Sequence, residues 1–159
     1  MLSFVLILII IVICGKMYTD KTVKDTLKEN FAEEHDTDLW RRNPQITEII
    51  NRLEFVKSYN NAVFHELKSI VREILTMYYL YIGGNDKIKI DDFSLEKVKL
   101  SNAYEEISMN IPFKYHKRTR RLFMQLNGRL NEKMKLIKLK SFKNPLKISL
   151  MNTNHLDFN

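Results

Sequence analysis

From Leu2 to Gly15 the chain carries no charge and one hydroxyl, Ser3. A run that is apolar on every face is not the pattern of a surface helix, which alternates an apolar stripe with a polar one. The run falls short of the ~20 residues that usually span a bilayer. Counted from Met1 to Tyr18, with Lys16 extending its amine towards water, it gives ~27 Å of helix, which fits a thin, ER-like membrane. Three readings compete: an uncleaved anchor over 1–18, a cleaved secretory signal, and a core or interfacial helix. A cleaved signal calls for a basic start and a small-residue exit. Here nothing basic precedes the run, and it leaves through Val12, Ile13, Cys14, Gly15 and Lys16. The pattern therefore favours the anchor.

Beyond the run the periodicity is helical. Val23, Leu27 and Phe31 recur every four residues over 19–32, a thin amphipathic helix. The acidic stretch Glu33, Glu34, His35, Asp36, Thr37 and Asp38 reads as a loop. Asn43 is a suitable N-cap and Pro44 a suitable first helical residue, opening an apolar face of Ile46, Ile49, Ile50 and Leu53 that ends near Ser58. The clearest stripe runs over 60–82, through Phe64, Leu67, Val71, Ile74, Tyr78 and Tyr81, and Gly83-Gly84 stops it. Residues 85–92 form a polar loop in which Lys87 to Ile90 alternate as a weak strand would. Leu95, Val98, Ala103, Tyr104, Ile107 and Ile111 suggest another helix, capped by Asp92 or Ser94 and ended by Pro112. Leu122, Leu126, Leu130, Met134 and Ile137 align on a last helix over 115–140. The expected fold is all-α: an N-terminal single membrane-anchor helix followed by a small helical bundle of about four helices. The expected divisions are the anchor at 1–18, a juxtamembrane helix and acidic loop at 19–43, the bundle at 44–140 and an irregular tail at 141–159.

Composition narrows the function. A chain of 159 residues has room for one domain, not for a TIM barrel or a two-domain enzyme with an interdomain cleft. Four glycines argue against a Gly-rich phosphate loop, and one cysteine excludes a disulfide framework or a cysteine-based zinc site.

Charge is spread unevenly. Residues 1–80 hold 10 Lys/Arg against 11 Asp/Glu, whereas residues 81–159 hold 16 against 8. Residues 112–147 carry 12 basic side chains and one acid, Glu132. Lys117, Arg120 and Arg121 share a helix face, as do Lys114 and Arg118; Arg129, Lys133 and Lys140 prolong the basic surface. Four readings apply to it: a solvated face, a docking surface for an acidic protein, contact with anionic lipid, and nucleic acid. The last lacks any zinc finger, RRM signature or helix-turn-helix pair. Lys16, Lys21 and Lys24 follow the apolar run and no basic side chain precedes it, so the positive-inside rule places the rest of the chain on the cytoplasmic side.

Candidate chemistry is sparse. The acidic stretch lacks EF-hand spacing. His35, His65, His116 and His155 form no HxxxH or HExxH pair, and no GxSxG, GxGxxG or P-loop occurs. Cys14 lies in the apolar run, where a thiol is inert, although a cysteine at a membrane boundary is also open to palmitoylation. No catalytic, cofactor or metal set is expected, and neither is an enzyme or a small-molecule partner. The interaction candidates are Lys114, Lys117, Arg118, Arg120, Arg121, Arg129 and Lys133 on the basic face. Trp40, Arg41 and Arg42 join them, because Trp and Arg dominate interface hot spots, although a tryptophan there can equally close the end of the bundle.

The layout of anchor, acidic stretch, LWRRNPQITEIINRLEFVKSYNNAVFHELKSIVREILTMYYL and NIPFKYHKRTRRLFMQLNGRLNEKMK resembles small membrane-anchored virion proteins of nucleocytoplasmic large DNA viruses. The resemblance covers about residues 1–140, and no functional residue carries over singly. It implies a minor capsid component that links an internal membrane to the outer shell, with capsid proteins as partners. An accessory single-span subunit of an organellar membrane complex is the alternative.

Overall fold

The computed structural model describes the backbone of residues 2–143 and the side chains of residues 9–139. Among the described residues the chain is all-helical: α1 Leu2–Arg41, α2 Pro44–Arg52, a 3-10 segment Glu54–Ser58, α3 Asn61–Ile82, α4 Ile90–Asn110 and α5 Phe113–Lys143. The helical bundle expected from the periodicity is present. No described helix is long and apolar enough to cross a membrane. The expected anchor lies partly on residues 1–8, whose side chains fall outside the described residues, and the tail beyond residue 143 falls outside them altogether.

α3 is the centre of the bundle. Asn60 caps its start, its side-chain oxygen accepting from the Val63 amide at 3.1 Å. At its other end the Asn85 and Gly84 amides donate to the Leu80 and Tyr81 carbonyls, and Gly84 takes φ +88°, where a Cβ would be strained. Leu67, Val71, Ile74 and Leu75 are almost fully buried. α1, the 3-10 segment, α4 and α5 all pack on α3. α4 and α5 run antiparallel across the Ile111–Pro112 turn, and Tyr104 meets Phe123 with ring centroids 4.7 Å apart.

Several expectations are corrected. The acidic stretch 33–38 is not a loop; α1 runs through it without a break. There is no Gly or Pro between Lys16 and Asn43 to stop the helix, and two of its acids, Asp36 and Asp38, find partners. Asp36 accepts from the Trp40 indole, Asp38 pairs with Arg41 and Arg42, and His35 stacks on Phe31. Buried Ala32 and Leu39 tie this part of α1 to the core. The division at 19–43 is therefore one helix, continuous with the apolar run. Asn43 and Pro44 take the expected N-cap and first helical positions of α2, but the Asn43 side chain makes no capping bond; its amide instead donates to the Leu39 carbonyl and closes α1. Asp92 is not an N-cap but accepts from the Lys89 amide at 2.8 Å from the first turn of α4. No strand forms at 87–90. In α4, Leu95 and Val98 face solvent, whereas Phe93, Glu96 and Leu100 face inward.

Glu96 is buried with one carboxylate oxygen held by Lys99, while the other, Oε2, has no hydrogen-bond partner among the described residues. Lys99 donates to it at 2.7 Å and also approaches Glu73. Glu73 in turn holds Lys28 of α1, and Lys24 holds Asp92 at 3.0 Å. This cluster clamps α1 onto α3 and α4. Burial pushes the Asp92 carboxyl up, but the Lys89 amide and the Lys24 ammonium outweigh it and hold the group below its usual range. Burial pushes Glu96 up against the opposing Lys99 ammonium, with repulsion from Glu73 adding to the rise.

Leu67→Ala and Ile74→Ala should each cost about 2–5 kcal/mol in chemical denaturation, as truncations of fully buried side chains; unchanged unfolding would mean that α3 is not the core. A pH series should separate the two carboxyls. The depressed Asp92 contributes stability above its ordinary pKa, lost as pH falls through the folded value, so Asp92→Asn should flatten the acid limb. The raised Glu96 works the other way, with stability falling as pH climbs from its ordinary value through the folded one. Glu96→Gln should remove that fall.

Candidate docking surface

The outer side of α5 is where the basic residues collect, because the inner side is taken by Leu122, Leu126, Leu130 and Ile137, all at most 1% exposed. With 3.6 residues per turn, Lys117 and Lys135 lie five full turns apart on one ridge, with Arg121 beside it. Lys114, Lys117, Arg120 and Arg121 are exposed. Lys117, Arg120, Arg121 and Lys135 make no ion pair among the described residues. Their charge therefore stands uncompensated, and ordinary desolvation is all that a partner's carboxylates would have to overcome.

The other candidates sit elsewhere. Arg118 lies over the Phe55 ring at 4.8 Å and donates to the Arg52 carbonyl at 3.4 Å, which ties α5 to the 3-10 segment and to the end of α2. Arg129 pairs with Glu132 at 3.2 Å. Lys133 does not share the basic face. It points inward over Tyr78 at 4.6 Å and Tyr79 at 5.7 Å, and burial lowers its pKa. Trp40 is half-buried against the core, with Lys68 over its ring at 5.4 Å. This is the geometry of a tryptophan closing the bundle. Arg41 and Arg42 project beside it, both paired to Asp38, and Arg42 also lies 6.0 Å from the Tyr79 ring centre.

Sequence reasoning missed the apolar side chains that accompany the basic ones. Phe113 is 87% exposed, Met109 79% and Met124 66%. All three fall off the inward stripes of α4 and α5, and that offset is legible once the helix register is fixed. A surface that combines free cations with exposed Phe and Met suits a partner presenting carboxylates around apolar side chains. No cluster of acidic, histidine or cysteine side chains that could hold a metal occurs among the described residues.

Lys133→Ala should lower stability by about 1 kcal/mol, since its stem and ammonium pack on two rings. Lys117→Ala should stay within about 0.5 kcal/mol of the parent, as surface substitutions do. Equal effects would mean that the two lysines share one environment.

No protein family model matches the chain, and no curated protein or solved structure is significantly similar to it.

Proposed function

We propose that this chain is a non-enzymatic, membrane-tethered structural protein. Its first ~18 residues enter a bilayer, and its bundle lies on the cytoplasmic side, where the basic face of α5 docks on an acidic protein surface. In a virion of the type that the layout resembles, this is a minor capsid component joining the internal membrane to the shell.

One observation carries the reading. Ile9 to Ile13 belong to α1, yet each is between 49% and 68% exposed. Five consecutive aliphatic residues that none of the described residues covers call for an apolar environment. The bundle takes hold of α1 only from about Lys24 and Leu27 onward. Geometry also bears on the partner. Lys24 fixes α1 beside the first turn of α4, while the densest basic run, 114–121, begins where α4 ends. Those two ends of α4 are about 30 Å apart. The basic run thus lies well away from the point where α1 would leave the membrane, which favours a protein partner over the headgroups of that membrane.

Full-length protein should resist alkaline carbonate extraction from membranes, and Ile10→Arg should release it, a central Arg costing about 2.5–3.5 kcal/mol on insertion scales. Release of the unmodified chain would end the anchor reading. Arg120→Glu with Arg121→Glu should reduce incorporation into the assembly at unchanged membrane content. The same charge reversal at Lys87 and Lys89, at the other end of the bundle, should not. Equal incorporation of all three proteins would make the basic run a solvated face. Docking of this kind should weaken as salt shortens the Debye length below about 8 Å.

A further inference from the structure

Among the described residues the wall between α4 and the second half of α5 is open. A groove of about 510 Å³ runs there, with Ile90, Phe93, Met134 and Ile137 as its floor and Lys97 and Lys135 on its rim. Phe93 and Ile137 are buried among the chain's own side chains at the groove's base, while both lysines stand exposed. The one carboxylate in the lining, Glu132, is taken up by Arg129 at 3.2 Å. Gly128 forms part of the edge, and a Cβ placed on it would meet nothing within 4 Å. A glycine in the middle of a long helix weakens that helix. Nothing in this fold requires one at this position, and its effect is to leave the groove's lip low.

From these features we infer that the groove binds an anionic phospholipid, with an acyl chain on the apolar floor and the phosphate-bearing headgroup between Lys97 and Lys135. The inference rests on the anchor reading proposed above. Size and layering suit a lipid: several hundred Å³ is the usual volume of a small-ligand pocket, and here an apolar floor lies below a rim whose polar side chains, Ser94, Lys97, Asn131 and Lys135 among them, can meet a headgroup. The rim charge is complementary to an anionic headgroup and would not favour a zwitterionic one. Position supplies the third argument. Ile90 and Phe93 belong to the same turn of α4 as Asp92, which Lys24 grips at 3.0 Å. Lys24 lies only about 9 Å along α1 from Tyr18, where the apolar run ends. The groove mouth is therefore at the end of the bundle nearest the bilayer, opposite the 114–121 run. The two basic regions of α5 then do different work, the second half meeting lipid and the first half meeting protein.

The test uses the full-length chain in phosphatidylcholine vesicles, with and without phosphatidylserine, carrying a phospholipid with a photoactivatable group on its acyl chain. Labelled peptides are mapped by mass spectrometry. Labelling is expected within 90–97 and 131–138 as well as in 2–18, and more strongly when phosphatidylserine is present. Lys97→Glu with Lys135→Glu should erase that preference, each lysine being worth about fivefold in local lipid concentration. Gly128→Trp should fill the groove and suppress its labelling, while Gly128→Ala should leave it intact. If the Trp variant does not fold, the paired lysine reversal still decides. Label confined to 2–18 would overturn the groove and keep the anchor; label in neither place would overturn both. Groove labelling that is equal in the two vesicle types would overturn the assignment to an anionic lipid.

Discussion

Burial of α3 is the constraint on which the rest of the molecule depends. Its apolar side chains are too broadly spread for a single neighbour to cover. Ten of its 22 residues are buried, from Val63 to Leu80. One flank is covered by α1, another by α4, and the remainder by α5 and the 3-10 segment. Fully burying a side chain of the size of Leu67 or Ile74 contributes roughly 1.5–3 kcal/mol, so the stripe outweighs any polar contact in the molecule. The short connections follow from it. Pro112 forbids a helical conformation at Ile111, which turns extended at ψ 150°, and the chain reverses there into α5.

Electrostatics then divide the protein into two regions. Between α1, α3 and α4 most charges are paired: Lys24 with Asp92, Lys28 with Asp25 and Glu73, Lys99 with Glu73 and Glu96, with one Glu96 oxygen left unpartnered. These pairs are partly shielded from water and fix how α1 crosses the bundle. They also engage acidic side chains that are then not available to neutralise α5. The excess of cations on α5 is thus a consequence of where the acids were spent as well as of how many lysines and arginines the sequence holds.

The continuity of α1 gives the anchor reading its mechanical content. A flexible linker would let the bundle roam above a membrane. An unbroken helix from the apolar run into the core, clamped at Lys24 and Lys28, would instead hold the bundle at a set distance and orientation. One end of α4 and α5 would face the bilayer and the other would face away.

The helices beyond residue 43, their approximate limits and most of the core were legible in the sequence, because a 3.6-residue period is a local property. Leu122, Leu126, Leu130 and Ile137 line up without reference to anything else, and the stop at Gly83-Gly84 follows from backbone sterics alone. The uneven charge was equally plain. What the sequence left undecided depends on contacts between distant segments. The acidic stretch looked like a loop until Trp40, Arg41, Arg42 and a buried Leu39 were in place to hold it helical. The apolar period of α4 did not single out Glu96 as an inward position, because nothing local reveals that its side chain would be buried beside Lys99. Lys133 could not be separated from Lys117 by composition, yet one packs on Tyr78 and the other stands in solvent. Only the tertiary structure decided which charges are paired, because an ion pair depends on distance through space, and the helix register by itself fixes only direction around an axis.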